Sequence, residues 1–264
     1  MTVAPKKRFG QNFLTDPRAS RLIAEAATTP EGGTVIEIGP GTGALTAPLL
    51  DRARVVAIER DPDLLPVLRE RFAAELDAGR LTLIEGDATA IDWPPLFADG
   101  PRPHTLAGNV PYLITGRLVE IATEQADHLD TVVFMVQKEV ADRLVAEAGS
   151  KEYGALTVFT QAAFKIDRIL TVRAGSFFPK PEVDSAVVRM VPERPRRALE
   201  TEAFRAAVKA AFGMRRKTLR NAWRGLLGWS DEEIVARAEA AGISLGARGE
   251  TLTVEQFRAM TAPR

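Results

Sequence analysis

The residues Gly108-Asn109-Val110-Pro111-Tyr112 put an amide side chain, a backbone carbonyl and an aromatic ring into one tight turn. The turn follows an apolar run, Thr105-Leu106-Ala107, that reads as the end of a buried strand. Asn and Pro then stop the sheet, because proline cannot donate to a ladder. In open α/β sheets that end of a strand is where ligands sit. Such a set can hold a planar base by its amino edge and its face. An exocyclic amine is a poor nucleophile, because its lone pair is delocalised into the ring. Two acceptors aimed at its N–H groups can draw the nitrogen towards tetrahedral geometry and turn the lone pair towards an electrophile. An Asn-Pro turn with a surface tyrosine uses the same residues, so the meaning of the stretch depends on what precedes it.

What precedes it is a series of strand ends. Glu37-Ile38-Gly39-Pro40-Gly41-Thr42-Gly43 lies between a predicted strand and a predicted helix. Glycines there let the backbone approach a ligand, and a helix N-terminus favours a negative group. Gly39, Gly41 and Ala44 also fit the loose dinucleotide fingerprint G-x-G-x-x-A, so the glycines alone do not choose the cofactor. Glu59, ending the second strand, is placed to accept from both ribose hydroxyls. Asp87, ending the third, is placed to accept from an adenine amine. Together they make a nucleoside pocket; the plainer alternative is a pair of helix-capping acids.

The elements that must position these residues alternate. Asp16-Pro17 reads as a helix start, with Asp as N-cap and Pro in the first turn, and the helix runs to about Ala27. Strands are predicted over 34–38, 54–59, 81–87, 105–108 and 130–136. Helices follow the glycine loop, Asp61-Pro62, Tyr112 and Lys138. Continuous apolar strands between helices argue for a parallel sheet covered on both faces. After Tyr153 the stretches 156–164, 165–172 and 185–191 are β-rich, and antiparallel strands closing the sheet's edge are expected. Residues 192–197 have the composition of a linker. Beyond them Phe204, Val208, Phe212, Leu219 and Trp223 give one apolar helical face, with capping boxes at Ser230/Glu233 and Thr253/Gln256. The expected division is a domain over 1–193 and a helical domain over 194–264.

Composition excludes several chemistries. There is no cysteine among the 264 residues, so there are no disulfides and no thiolate metal sites, which fits a reducing cytoplasm. Two histidines, His104 and His128, leave little material for a metal site or a Ser/His relay. No signal core follows Lys6, Lys7 and Arg8, and no run approaches the ~20 apolar residues of a membrane span. Net charge is zero, yet residues 194–224 hold ten cations against Glu200 and Glu202 alone. That asymmetry points to a polyanionic partner.

The ordered stretches Gly10 to Leu14, Glu37 to Gly43, Glu59, Gly86-Asp87, Asn109 to Tyr112 and Phe177-Phe178-Pro179-Lys180-Pro181-Glu182-Val183-Asp184-Ser185 resemble the motifs of the ribosomal RNA adenine N6-dimethyltransferases. Ala211 to Leu219 is similar to the small-subunit branch, the KsgA family. The resemblance covers almost the whole chain. It implies a class I, Rossmann-like S-adenosylmethionine-dependent methyltransferase of α/β class with a small all-α C-terminal domain. In the cofactor site Asn12 and Leu14 would close over S-adenosylmethionine, with Gly39 and Gly41 beneath its methionine part. Glu59 would hold the ribose, Asp87 the adenine amine, and Ala88 would offer its N–H. Asn109 and the Val110 carbonyl would orient the target amine, with Tyr112 stacked on the base. Val110 stands where the family usually has Leu, a mild departure, since only its carbonyl is used. Phe177 is the aromatic that matches the family pattern, so the second stacking face falls to it and not to Phe178.

Arg215, Arg216, Lys217 and Arg220 would contact RNA phosphates. The implied partners are small-subunit ribosomal RNA and the immature small subunit, with no metal and no membrane, and the protein a cytoplasmic monomer. The implied substrate is a pair of adjacent adenosines in a hairpin loop near the RNA's 3′ end, each methylated twice. Two readings stay open beside this one: a nicotinamide-dependent oxidoreductase, which the fingerprint allows, and a non-catalytic RNA-binding assembly factor.

Overall fold

The computed structural model describes residues 4–98, 100–214 and 216–263. In chain order the elements are β1 (Phe13–Leu14), α1 (Pro17–Ala27), β2 (Thr34–Ile38), α2 (Thr46–Leu50), β3 (Arg54–Glu59), α3 (Leu64–Arg71), α4 (Ala73–Asp77), β4 (Leu81–Glu85), α5 (Pro94–Ala98), β5 (His104–Asn109), α6 (Thr115–Glu124), β6 (Thr131–Gln137) and α7 (Lys138–Leu144). They continue with α8 (Ala155–Ala163), β7 (Phe164–Val172), β8 (Phe177–Phe178), β9 (Ser185–Pro192), α9 (Glu202–Gly213), α10 (Leu219–Ala222), α11 (Asp231–Ala240) and α12 (Val254–Met260).

Seven strands form one sheet in the order β4-β3-β2-β5-β6-β9-β7. The first five are parallel, and β9 runs antiparallel to β6, with Val132 opposite Met190 and Gln137 opposite Ser185. The direction of winding reverses between β2 and β5, the switch point where such sheets open a crevice. Gly108 is required there. A Cβ on it would come within 2.6 Å of the Ile38 carbonyl oxygen, so only glycine lets β5 lie this close to β2. A second, two-stranded sheet pairs β1 with β8, Phe13 opposite Phe178 and Leu14 opposite Phe177.

The inner parallel strands β2, β3, β5 and β6 are buried on both faces, which is why they read as unbroken apolar runs. On one side α1 packs against β6 and α2 through Ala19, Ile23, Ala24 and Ala27. Its start is the Asp16-Pro17 device expected from sequence: the Asp16 carboxylate accepts from Arg18 N (2.9 Å) and Ala19 N (3.3 Å). Asp61-Pro62 behaves differently. The helix begins at Leu64, and the buried Asp61 carboxylate accepts from Asp63 N at its start (3.1 Å) while also bonding Lys6 and Gln11.

The stretch 156–164, expected as a strand, is helix α8 over all but its last residue. Its β-branched residues are satisfied within the helix. The Thr157 hydroxyl accepts from Gly154 N and donates to the Arg143 carbonyl, and Thr160 donates to the Leu156 carbonyl. Burial of Val158, Ala162 and Ala163 then outweighs a propensity difference worth under about 1 kcal/mol per residue.

The chain resolves into two compact units: residues 1–141 with 166–192, and 142–165 with 193–264. The second unit resumes at Glu193, inside the stretch of linker composition, and also takes in an earlier excursion, 142–165, that contains α8. Its core is aromatic. Trp223 is fully buried, donates Nε1–H to the Ala207 carbonyl (2.9 Å) and meets Phe257 edge-on at 6.3 Å. Phe204 and Val208 from the expected apolar face lie in the same cluster, and Phe212 packs at its margin. Thr253 and Gln256 form a complete capping box, and Ser230 caps α11 by accepting from Glu233 N.

Candidate active site

The carboxyl ends of β2, β3, β4 and β5 open into one cavity within the first unit. Gly39 and Gly41 take φ values of 65° and 61°, in the left-handed region that favours glycine. The space where a Gly39 Cβ would stand is open, while a Gly41 Cβ would press on the Phe13 ring at 3.1 Å. Substituting either would strain the backbone or close the floor of the cavity.

Glu59 is 5% exposed. Its two oxygens accept from Gly41 N (3.1 Å) and Asp61 N (2.8 Å), which fixes the carboxylate against the glycine loop. Burial raises its pKa, and these backbone N–H groups oppose the rise. Asp87 accepts from the N–H and hydroxyl of Thr89 and pairs with Arg60 at 3.1 Å. Burial would lift its pKa, but Thr89 and Arg60 hold it below the usual carboxylate range. Ala88 is buried beside it and lines the cavity. Two fixed carboxylates and a floor without side chains suit a nucleoside with a backbone-hugging tail, and S-adenosylmethionine fits that donor and acceptor set.

Asn109 and Tyr112 line the same cavity. Asn109 donates through Nδ2 to the Asn12 carbonyl at 2.8 Å, so its side-chain oxygen is the atom left for a substrate. Val110 is buried, and its N–H is held by the Met135 carbonyl at 3.1 Å. The Tyr112 hydroxyl is bonded to the hydroxyl of fully buried Ser185 at 2.8 Å, which steadies the ring. Burial pushes the Tyr112 pKa up.

Two residues named from the family pattern lie elsewhere. Leu14 is buried, lines a smaller recess with Gly39 and Glu37, and does not line the main cavity. Phe177 is 5% exposed and packed in the same core cluster as Leu14, while Phe178 is 63% exposed. Alternation along β8 turns the two rings to opposite faces, and the inward one is Phe177. Phe177 is thus packed in the core of this structure and does not line the main cavity.

Sequence reasoning named Asn12 in the N-terminal segment that borders the cavity but missed the contacts that hold the segment there. Lys6 pairs with Asp61 and Asp63, Gln11 donates to Asp61 at 3.0 Å, and Gln11 in turn accepts from Lys6 N. Asp61 is the buried post of this clasp, tied to residues some fifty positions away, and no local signal announces it. Arg8 and Arg60 lie over the Phe9 ring at 4.7 and 5.6 Å, and all three line the cavity.

In the second unit Arg216, Lys217 and Arg220 are exposed, with no carboxylate partner among the described residues. Arg215 lies outside the described residues. Arg205, by contrast, is paired with Glu200. Among the described residues no cluster of acids or histidines could hold a metal, and no helix is long and apolar enough to cross a membrane.

Residues 3–261 match the model of the ribosomal RNA adenine dimethylase family. The chain belongs to that family. Relatives named ribosomal RNA small subunit methyltransferase A include the protein of Aromatoleum aromaticum, 44% identical over 97% of this chain and 92% of that one. The protein of Laribacter hongkongensis is 45% identical over 96% and 93%. Among solved structures, the 23S ribosomal RNA methyltransferase ErmE superposes with a TM-score of 0.73 at 29% identity, over 95% of this chain and 98% of that one. A dimethyladenosine transferase from Plasmodium falciparum gives a TM-score of 0.81 over 94% and 95%; at 24% identity that likeness is one of fold. The dimethylase family is thus matched along both units, so the basic second unit is part of the family's architecture and not an appended tail.

Proposed function

We propose that the protein dimethylates two adjacent adenosines at N6, in a hairpin loop near the 3′ end of small-subunit ribosomal RNA. It acts as a cytoplasmic monomer on the immature subunit. The observation that carries this reading is Asn109. Its amide nitrogen is tied to the Asn12 carbonyl, and it lines one cavity with Tyr112, Glu59 and Asp87. That is an amine-orienting group next to a ring that can hold a base. Hydride transfer has no use for it, and a non-catalytic assembly factor has no need to keep it.

S-adenosylmethionine, when bound, supplies an electrophilic methyl group on a sulfonium. Glu59 accepts from the ribose hydroxyls, Asp87 from the adenine amine, and Asn12 helps to enclose the cofactor. The target adenine leaves its stack and lies against Tyr112; loop bases come out more cheaply than paired ones. Asn109 Oδ1 and the Val110 carbonyl accept from the two N–H groups of its amine and turn the nitrogen lone pair towards the methyl carbon. With S-adenosylmethionine bound, these residues would hold the amine in line with the sulfonium's methyl group and leave the nitrogen's proton to pass to water. No strong general base is required, because the amine becomes acidic once alkylated. The protein's contribution is position and desolvation.

Mass spectrometry of small-subunit RNA, from cells with and without the protein, tests the reading directly. Dimethyladenosine should be present only with it; an unchanged modification pattern would remove the activity. Two smaller effects follow from the site. Glu59→Ala should weaken S-adenosylmethionine by about 1–3 kcal/mol, the scale of a charged acceptor, and calorimetry showing unchanged affinity would take Glu59 out of the site. Changing Arg216, Lys217 and Arg220 together to Ala should weaken subunit binding. It should also flatten the log–log salt dependence by about one unit per lost phosphate contact, with cofactor affinity unmoved. A salt slope equal to the wild type's would make these cations an ordinary solvated face.

A further inference from the structure

Leu113 is the most exposed large apolar side chain among the described residues, at 75%, and it lines the mouth of the cavity. Its neighbours on the same turn are Tyr112, whose hydroxyl is anchored on Ser185, and Ile114, whose N–H closes on the Pro111 carbonyl at 3.1 Å. The single 3-10 turn Tyr112–Ile114 therefore has both flanks fixed, and Leu113 is held outward by its backbone and not by packing. Gly10, at φ 62°, passes beneath it; a Cβ there would touch the Leu113 side chain at 3.6 Å. The chain thus keeps an uncovered leucine at the entrance to an active site, where exposure of apolar surface is a cost that folding alone does not explain.

The inference rests on the adenosine reading given above. A base that enters the cavity leaves a gap in the stack it came from. Unstacking is unfavourable, and the gap tends to close by taking the base back. Proteins that distort nucleic acids fill such gaps with apolar side chains. Leu113 is the next residue along the chain from the ring that would receive the base, so it stands at the mouth, where the vacated stack would lie. We propose that Leu113 is a wedge that enters the loop's base stack when the target adenosine turns out, and so holds the base in the cavity. It is a positioning residue: it touches neither the methyl group nor the reacting amine. The chemistry it recognises is the exposed π-face of a nucleobase that has lost its neighbour.

The test uses the full-length protein and small ribosomal subunits that lack dimethyladenosine. Single-turnover methyl transfer is measured at saturating subunit and cofactor, with subunit affinity and cofactor affinity measured separately. Leu113→Ala, and Leu113→Asn as a polar residue of similar size, should each lower the transfer rate by about tenfold or more, the scale of an unstacking cost left unopposed. Leu113→Met should stay within about threefold of wild type, since an unbranched thioether of similar volume still fills the gap. Cofactor affinity should be unchanged in all three. A wild-type rate for Leu113→Ala would overturn the wedge, and so would an active Leu113→Asn. A fall in cofactor affinity parallel to the fall in rate would also overturn it, by making Leu113 a cover for the cofactor. If the wild-type protein itself transfers no methyl group to these subunits, the adenosine reading fails first and the wedge with it.

Discussion

Asn109→Ala is expected to slow the methyl-transfer step by about a hundredfold or more, as for other preorganised polar groups at reacting centres. The structure sharpens the reason. The side chain does not choose between two orientations, because Nδ2 is already bonded to the Asn12 carbonyl. Its oxygen is set before any substrate arrives, so little reorganisation remains at the moment of reaction. Removing it leaves the Val110 carbonyl as the one proposed acceptor for the amine and also frees the Asn12 carbonyl. Single-turnover rates at saturating cofactor and subunit isolate this step. Subunit affinity should change little, since Tyr112 and the basic second unit are untouched. Wild-type transfer by Asn109→Ala would show that the amine is oriented by something else.

The second large effect is on stability and comes from Glu37. This carboxyl is 1% exposed, accepts a 2.7 Å hydrogen bond from the Thr46 hydroxyl, and lies beneath the glycine loop. Burial, reinforced by the charge of Glu59, pushes its pKa up to about 8, against Thr46, from an ordinary value of 4.5. Between those two values the folded chain holds a proton that the unfolded chain has lost. Stability from this group is therefore complete below pH 4.5, declines as pH rises, and is gone above about 8. The amplitude is of order a few kcal/mol. Glu37→Gln stays neutral throughout and can still accept from Thr46. It should match the wild type in urea unfolding at acid pH and exceed it at alkaline pH, with the gap opening across that window. Parallel stability profiles for the two proteins would mean that Glu37 ionises freely in the folded state.

The sheet was legible because its strands are continuous apolar runs and each ends on a residue that stops it. The chemistry at those ends was legible for the same reason: Glu59 and Asn109 close their strands and Asp87 lies two residues past the end of its own, which stops at Glu85 and not at the expected 87, and the topology then gathers them. What could not be read depends on partners distant in sequence. Asp61-Pro62 carries a good helix-start signature and Asp61 does accept from Asp63 N there, but nothing local announces that Lys6 and Gln11 share the carboxylate. Thr157, Val158 and Thr160 favour strands locally, yet the buried face of α8 decides otherwise. Phe177 and Phe178 must face opposite ways, but nothing local says which ring is inward. A reading in chain order also cannot see that residues 142–165 leave the first unit and return.

The fixed amide of Asn109 also bears on when the enzyme stops. An adenosine amine offers two N–H donors to the two acceptors proposed for it, Asn109 Oδ1 and the Val110 carbonyl. Each transfer replaces one donor by a methyl group. The singly modified base retains one bond to this wall and the doubly modified base none, a loss of about 0.5–1.5 kcal/mol at each round. Turning the amide to offer an N–H to the product would cost Asn109 its bond to the Asn12 carbonyl. The wall therefore counts. On the proposed roles it would grip the unmodified nucleotide hardest, keep one bond after the first round, and let go at two.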